Sequence, residues 1–217
     1  MKVGVLGTGV VGQTLAGKLV SLGHAVTMGS RRAGNEKALA WAQAAGDRAD
    51  QGSFADAASF GELVINATAG VASLEALTAA GSERLAGKVL IDVANPLDFS
   101  AGMPPTLSVA NSDSLGEQIQ RAFGQARVVK ALNTISADVM VDPAIVPGAH
   151  TIFMSGNDGE AKGQVSELLQ SFGWPEERIM DLGDITAARG MEMYLLLWLR
   201  LWGSTGTGHL NVAVITE

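Results

Sequence analysis

The stretch "MKVGVLGTGVVGQTLAGKLVSLGHAVTMGSRR", residues 1–32, decides the fold. "KVGVLG" reads as a buried strand, "VVGQTLAGKLVSLG" as a helix closed by Gly23, and "HAVTMGS" as a second strand. Between the first strand and the helix lies Gly7-Thr8-Gly9-Val10-Val11-Gly12, a GxGxxG run in the context that its mechanism requires. Gly7 permits the tight turn, Gly9 lets the backbone approach a pyrophosphate, and Gly12 allows the helix to pack close to the strand. The helix N-terminus then offers free N–H groups and a favourable dipole to phosphates.

The end of the second strand sets which dinucleotide is expected. An NAD site places an Asp or Glu there for the ribose 2′-hydroxyl, and such a carboxylate repels a 2′-phosphate. This chain has no acid between Gly23 and Glu36 and offers instead Ser30, Arg31 and Arg32. Guanidinium matches phosphate with a planar fork of donors. The expected cofactor is therefore NADP(H), with one arginine free to bond the phosphate and the other to stack on the adenine.

The same alternation continues. "NEKALAWAQAAG" is a helical pattern stopped by Gly46, and a weak strand near Asp50 and a short helix follow it. "LVINATAG", "KVLIDVAN", "ARVVKALN" and "TIFMSGN" are apolar strands, and helices run through Leu74 and Leu77 and through "SLGEQIQRAFG". Continuous Val/Ile/Leu strands separated by helices predict an α/β, doubly wound Rossmann-type fold with a mostly parallel sheet. Residues 1–157 are expected to form the NADP-binding domain, and residues 158–217 a small C-terminal helical, dimerising segment. That segment holds a helix near 159–172, a short strand in "RIMDLGD", and the helix "ITAARGMEMYLLLWLRLWG". Between Met191 and Trp202 the last helix has only Glu192 and Arg200 as charges. It needs cover on more than one side: either it is a core helix, or a second subunit meets it at Trp198, Leu199 and Trp202. The tail "GTGHLNVAVI" can add a strand or wrap the same surface.

Composition narrows the classes. The 217-residue chain is 47% hydrophobic and 17% charged, with a formal net charge of −7. An acidic chain argues against general nucleic-acid binding. The absence of cysteine rules out disulfides, thiolate metal sites and cysteine nucleophiles, and no metal site is expected. The start has no signal-peptide layout, and "MYLLLWL" is far shorter than a membrane span. The expectation is a cytoplasmic protein with no membrane partner.

Ligands of such sheets sit at the C-terminal strand ends. There the chain places Thr68-Ala69-Gly70, Asn95-Pro96-Leu97 and Asn133-Thr134-Ile135, small or polar residues able to line a flat nicotinamide and accept its carboxamide. His24, His150 and His209 fall in no acid–base pattern, and Lys130, inside a strand, reads as solvent-facing at least as readily as functional. Acting on an alcohol requires a general base, whereas hydride transfer to a redox ring is mostly positioning. Asn133 and Thr134 are the expected catalytic positions in that positioning sense.

The first 32 residues, "VVKALNTISADVM" and "DLGDITAARGMEMYLLLWL" resemble the NADPH-dependent reductases of the deazaflavin coenzyme F420. The likeness runs through essentially the whole chain and is most specific at Gly29-Ser30-Arg31 and at Ala131-Leu132-Asn133-Thr134. A similar domain forms the cytosolic part of six-transmembrane ferric reductases. The resemblance implies that Thr8, Val10 and Val11 help bind the pyrophosphate, that Ser30, Arg31 and Arg32 hold the 2′-phosphate, and that the Asn95-Pro96 and Asn133-Thr134 loops face the nicotinamide and a second ring. It also implies a homodimer built partly on the C-terminal helices. The expected activity is hydride transfer between NADP(H) and coenzyme F420 or a flavin. The alternatives are reduction of a small carbonyl or imine, or an NADP(H)-binding redox sensor without catalysis.

Overall fold

In a computed structural model that describes residues 1–217, strands and helices alternate from the second residue onward. The strands are β1 (Lys2–Leu6), β2 (Ala25–Ser30), β3 (Ala49–Ser53), β4 (Leu63–Asn66), β5 (Val89–Asp92), β6 (Leu97–Asp98), β7 (Thr106–Leu107), β8 (Arg127–Ala131), β9 (Ile152–Gly156) and β10 (Ile179–Asp181). The helices are α1 (Val10–Ser21), α2 (Glu36–Ala45), α3 (Phe54–Phe60), α4 (Ser73–Ala80), α5 (Ser82–Leu85), α6 (Leu115–Ala122), α7 (Ala137–Val141), α8 (Gly159–Phe172) and α9 (Ala188–Thr205). Eight strands form one sheet in the order β10-β9-β8-β5-β4-β1-β2-β3. Every pairing in it is parallel except β8 with β9. The chain reverses direction across the sheet between β1 and β4, the switch point at which such sheets open a crevice.

Strand residues alternate between two cores. Val3, Val5, Ile65, Ile91 and Val129 face a cluster of 28 buried residues that takes in side chains of α1, α2, α7 and α8. Leu6, Val64, Leu90 and Val128 face a cluster of 18, filled from α3 to α6 and by the first residue of α9. Both faces are covered, which explains why the strand sequences are apolar throughout rather than alternating.

Two glycines fix how closely α1 approaches β1. Gly7 has φ +119°, and a Cβ there would lie 2.4 Å from the Ala67 carbonyl oxygen. A Cβ on Gly12 would lie 2.2 Å from the carbonyl oxygen of Gly7. Both obstacles are backbone atoms, so no rotamer change relieves them.

The structure revises four sequence expectations. The 158–217 segment is not a separate unit at its start: α8 contributes Val165, Leu168, Leu169 and Phe172 to the larger core, and β10 pairs with β9. An antiparallel ribbon, β6 with β7, follows β5 where no element was expected. The tail makes no strand; it crosses the start of β9, with the Thr151 N–H donating to Val212 O at 2.9 Å. Lys130 does not face solvent. It is fully buried, and its Nζ meets Asp92 Oδ2 and Glu192 Oε1 at 2.8 Å each.

That trio ties three elements together. Asp92 and Lys130 are register partners on β5 and β8, and Glu192 reaches in from α9. Glu192 also accepts the N–H groups of Leu115 at 2.8 Å and Gly116 at 3.0 Å, at the start of α6. Burial alone would lower the Lys130 pKa, but the two carboxylates outweigh it and hold the group above its ordinary value.

Two outcomes follow from this packing. Gly12→Ala should lower stability by roughly 1–3 kcal/mol in urea unfolding, the usual cost of overpacking. Gly9→Ala, whose Cβ would meet nothing within 4 Å, should leave the midpoint almost unmoved. The second concerns pH. A lysine whose folded pKa is raised stabilises fully below its unfolded value and loses that contribution as pH rises through the folded one. The loss attributable to Lys130 should therefore begin only above the ordinary lysine value of 10.5. There, the urea midpoint should fall more steeply in the unmodified protein than in Lys130→Met. A Lys130-dependent loss near neutral pH would contradict the charged assignment.

Candidate functional site

The C-terminal ends of β1, β2 and β4 border a cavity of about 950 Å³. Its walls include Gly7, Thr8 and Gly9 after β1, Ser30, Arg31 and Arg32 after β2, and Thr68 and Ala69 after β4. These eight sequence-expected residues are thus brought together. Gly12 lies outside the cavity, packed under Gly7. Val10 is exposed at the first position of α1, while Val11 leans on the larger core.

The start of α1, like those of α4, α5, α7 and α9, has no side-chain cap. Side chains of Asn35, Ser53, Ser114 and Asp158 cap α2, α3, α6 and α8. Gly9 supplies no side-chain cap to α1. The ladder begins with the Gln13 N–H donating to Gly9 O at 3.0 Å, and the Gln13 side chain donates to Thr8 O at 2.9 Å, holding the turn. Space for an added Cβ at Gly9 is open. A pyrophosphate therefore fits here on two counts, room at Gly9 and uncapped first-turn N–H groups.

At the other end, Arg31 and Arg32 are exposed and neither forms an ion pair. The Ser30 hydroxyl donates to the Arg32 carbonyl at 2.6 Å, so its proton shapes the loop, and the two guanidiniums are the uncommitted donors. Asn35 caps α2 beside them, with Oδ1 accepting from Lys37 N and Ala38 N. Glu36, Phe54 and Glu75 also line the cavity and were not anticipated from sequence. Phe54 opens α3 directly after β3, a position whose ring the GxGxxG pattern does not foretell.

The loops after β5 and β8 form a second group beside this cavity rather than in its wall. Asn95 Nδ2 donates to Asn133 O at 2.8 Å, and Asn133 Nδ2 donates to Asn95 Oδ1 at 2.9 Å and to Met191 O of α9 at 3.1 Å. Asn133 is 1% exposed and Thr134 0%, and neither Asn133 Oδ1 nor Thr134 Oγ1 has a hydrogen-bond partner. Leu132, just before them, has φ +65°, a conformation that costs a β-region residue on the order of 1 kcal/mol or more. It turns the chain so that Asn133 interlocks with Asn95. Pro96 is buried, and Ala131 is wholly buried with its side chain in the larger core, so the structure does not bring it to the cavity.

Behind both groups runs a buried polar chain. Thr68 Oγ1 donates to Asn66 Oδ1 at 2.7 Å, Asn66 Nδ2 donates to Asp92 Oδ1 at 2.8 Å, and Asp92 pairs with Lys130. The readable signal was opposite charges set inside apolar runs: Asp92 in "VLID", Lys130 in "VVKA" and Glu192 in an otherwise apolar helix. The histidines lie elsewhere. His24 contacts the N-terminal amine, His150 contacts Asn211, and His209 contacts Asp138. No helix is long and apolar enough to cross a membrane.

Comparisons agree with this geometry. The family model "NADP oxidoreductase coenzyme F420-dependent" matches residues 2–96. A solved structure from Arthrobacter sp. FB24, provisionally designated an F420-dependent NADP-reductase, is 53% identical, with all of both chains covered and a TM-score of 0.94. The rat Metalloreductase STEAP3 is 30% identical over 202 residues, 93% of this chain, which spans only 38% of that protein's length. A reductive aminase from Aspergillus terreus, solved with NADPH4, cyclohexanone and allyl amine, shares the fold at 20% identity and TM-score 0.67, over 94% of this chain and 62% of its own. With the Rossmann sheet, the glycine turn and full-length likeness to the Arthrobacter protein together, the chain belongs to the coenzyme F420-dependent NADP oxidoreductase family, a family of NADP-dependent oxidoreductases.

Proposed function

We propose that this protein transfers hydride between NADP(H) and a flat redox ring, a deazaflavin such as coenzyme F420 or a flavin. The observation that carries the cofactor half is the pair of unpaired guanidiniums, Arg31 and Arg32, at the mouth of the cavity that begins at the glycine turn. In this reading, Thr8, Gly9, Val10 and Val11 receive the pyrophosphate on backbone N–H groups, and Gly7, whose own N–H donates to Gly29 O at 2.9 Å, makes the turn that presents them. Arg31 and Arg32 receive the 2′-phosphate, with Ser30 bracing their loop. Thr68, Ala69, Asn95 and Pro96 border the nicotinamide, with the buried Ala131 behind them, and Asn133 and Thr134 set the floor on which the acceptor is positioned. When bound, NADPH supplies the hydride from nicotinamide C4.

The acceptor half is supported by what the neighbouring loops contain. Thr68, Ala69, Asn95, Pro96, Asn133 and Thr134 carry no ionisable group, and the Lys130 ammonium is engaged by two carboxylates and the Ala94 carbonyl. The loops can orient and exclude water without donating or removing a proton, which suits hydride transfer between rings. One observation favours the small carbonyl or imine reading instead. Tyr194 on α9 has a buried hydroxyl without a partner, and burial raises its pKa, so it is a phenol available to donate.

We further propose a cytoplasmic homodimer joined through α9. The support is an apolar surface the protomer leaves uncovered: Leu197 is 55% and Trp202 44% exposed, with Leu196 beside them. Of the anticipated contact residues, Leu199 is half-buried and Trp198, 9% exposed, already packs within its own chain.

Arg31→Ala should weaken NADPH by about 1.5–3 kcal/mol in calorimetry and leave NADH nearly unchanged, because one charge-assisted phosphate contact is lost. Equal losses for the two cofactors would remove the 2′-phosphate assignment. In stopped-flow mixing with NADPH, a deazaflavin, a flavin and a cyclic imine separate the acceptors. Ring-to-ring transfer predicts that Tyr194→Phe loses less than about tenfold in the chemical step, roughly 1.4 kcal/mol. Imine turnover that collapses in Tyr194→Phe would favour the second reading. Leu197→Glu should convert a dimer to monomer in sedimentation, and a monomeric unmodified protein would end the dimer proposal.

A further inference from the structure

The Lys130 cluster is far more elaborate than a strut between a sheet and a helix requires. An ion pair taken out of water gains little net stability, and apolar side chains could fill the same space without desolvation cost. What the charged group supplies is direction. Each of the three ammonium protons has its own acceptor: Asp92 Oδ2, Glu192 Oε1 and the carbonyl of Ala94. Ala94 immediately precedes Asn95, and its N–H donates back to Asp92 Oδ1 at 3.3 Å. Asp92 Oδ1 also accepts from Asn66, which bonds Thr68 in the cavity wall and Ser73 Oγ at 3.0 Å. Two loops, after β4 and after β5, therefore hang from one buried ammonium. The adenosine end has no member of this network.

We infer that Lys130 is a positioning residue for the nicotinamide half of the site: through Ala94 and through Asp92, Asn66 and Thr68 it sets the loops after β4 and β5, with Glu192 of α9 completing its shell. This rests on the proposed NADP(H) reading for which half is affected, but the physical claim concerns the loops themselves. Glu192 makes the arrangement depend on α9. If that carboxylate is neutralised, the ammonium keeps one counter-charge in place of two, and Asp92 and the Ala94 carbonyl are drawn to compensate. Loop geometry then changes at Thr68 and Asn95, more than 90 residues away in sequence, although Ala94 is two polar contacts from Glu192 and Thr68 four.

The test uses Lys130→Met and the milder Glu192→Gln, which keeps the volume and one acceptor oxygen but removes the charge. Amide hydrogen exchange without ligand reads the loops directly. The amides of Thr68, Ala69, Ala94 and Asn95 should exchange about tenfold or more faster in both variants, while those of β2 and the first turn of α2 stay within about twofold. NADPH should bind about tenfold more weakly, whereas 2′,5′-ADP, which has the adenosine end alone, should bind within about twofold of the unmodified protein. Unchanged loop exchange, uniform acceleration across the sheet, equal weakening of both ligands, or failure of both variants to fold would make the cluster a plain structural tie and overturn the inference. Failure of the unmodified protein to bind NADPH would strike the nucleotide reading instead, and loop exchange would still decide this one.

Discussion

A single buried ammonium holds the working edge of this sheet together. Lys130 lies in the middle of the strand order, on β8 beside β5, and its partners come from β5, the loop after it, and α9. A lone charge at zero exposure would be prohibitive, so the three acceptors are what lets the ammonium be buried. That condition propagates. Asp92 must face Lys130, which fixes the register of β5 against β8. Glu192 must reach inward, which fixes the rotation of α9 about its axis and leaves Leu196 and Leu197 on the outside. The helix start at Leu115 and Gly116 must point its N–H groups at Glu192, which orients α6. A packing of apolar side chains alone would tolerate small slips in all three.

The elements themselves were legible because their signals are local. The glycine spacing, the strand-sized Val/Ile/Leu runs, and the Gly23 and Gly46 stops each act within one turn or one strand, and the structure has those elements where the sequence puts them. The α8 pattern was legible too, but its membership was not: whether Phe172 and Leu169 pack on the first core or on a core of their own depends on β9 running antiparallel to β8, a long-range choice. The β6–β7 ribbon escaped notice because two residues per strand give no periodicity to read. Lys130 was misjudged for a different reason. A charged residue in an apolar strand reads as exposed unless its partners are known, and one of those partners lies 62 residues further on in a helix. The cavity residues after β1, β2 and β4 were legible because they follow clear strands directly, whereas Phe54 follows β3, whose sequence is a weak strand signal, and Glu36 and Glu75 enter from α2 and α4.

The split between the two halves of the site also has a physical logic. The end proposed for the adenosine is built from exposed, unpaired cations on a short loop, and the opposite end from two amides, half-buried Asn95 and buried Asn133, that bond one another. Exposed arginines can follow a phosphate as it arrives and cost little to hold ready, because water solvates them until then. Asn95 and the buried Asn133 cannot adjust without losing the hydrogen bonds between them, and at Asn133 an unmade bond costs about 1–3 kcal/mol. One end is suited to capture and discrimination by charge, the other to holding a planar group at a fixed distance.

That division answers how an acidic chain can favour a more anionic cofactor. A net charge of −7 is spread over the whole surface, and most of it lies beyond the screening length of about 8 Å at physiological salt. Among the residues that line the cavity, Arg31 and Arg32 are matched in number by Glu36 and Glu75. Selectivity then cannot come from the field of the protein or even of the cavity. It has to come from contact: a guanidinium fork bonds phosphate oxygens directly, while a carboxylate elsewhere on the wall acts through water and is screened. In the proposed reading, the sign of the cofactor preference is set by which side chains end the second strand, and not by the sum of charges around them.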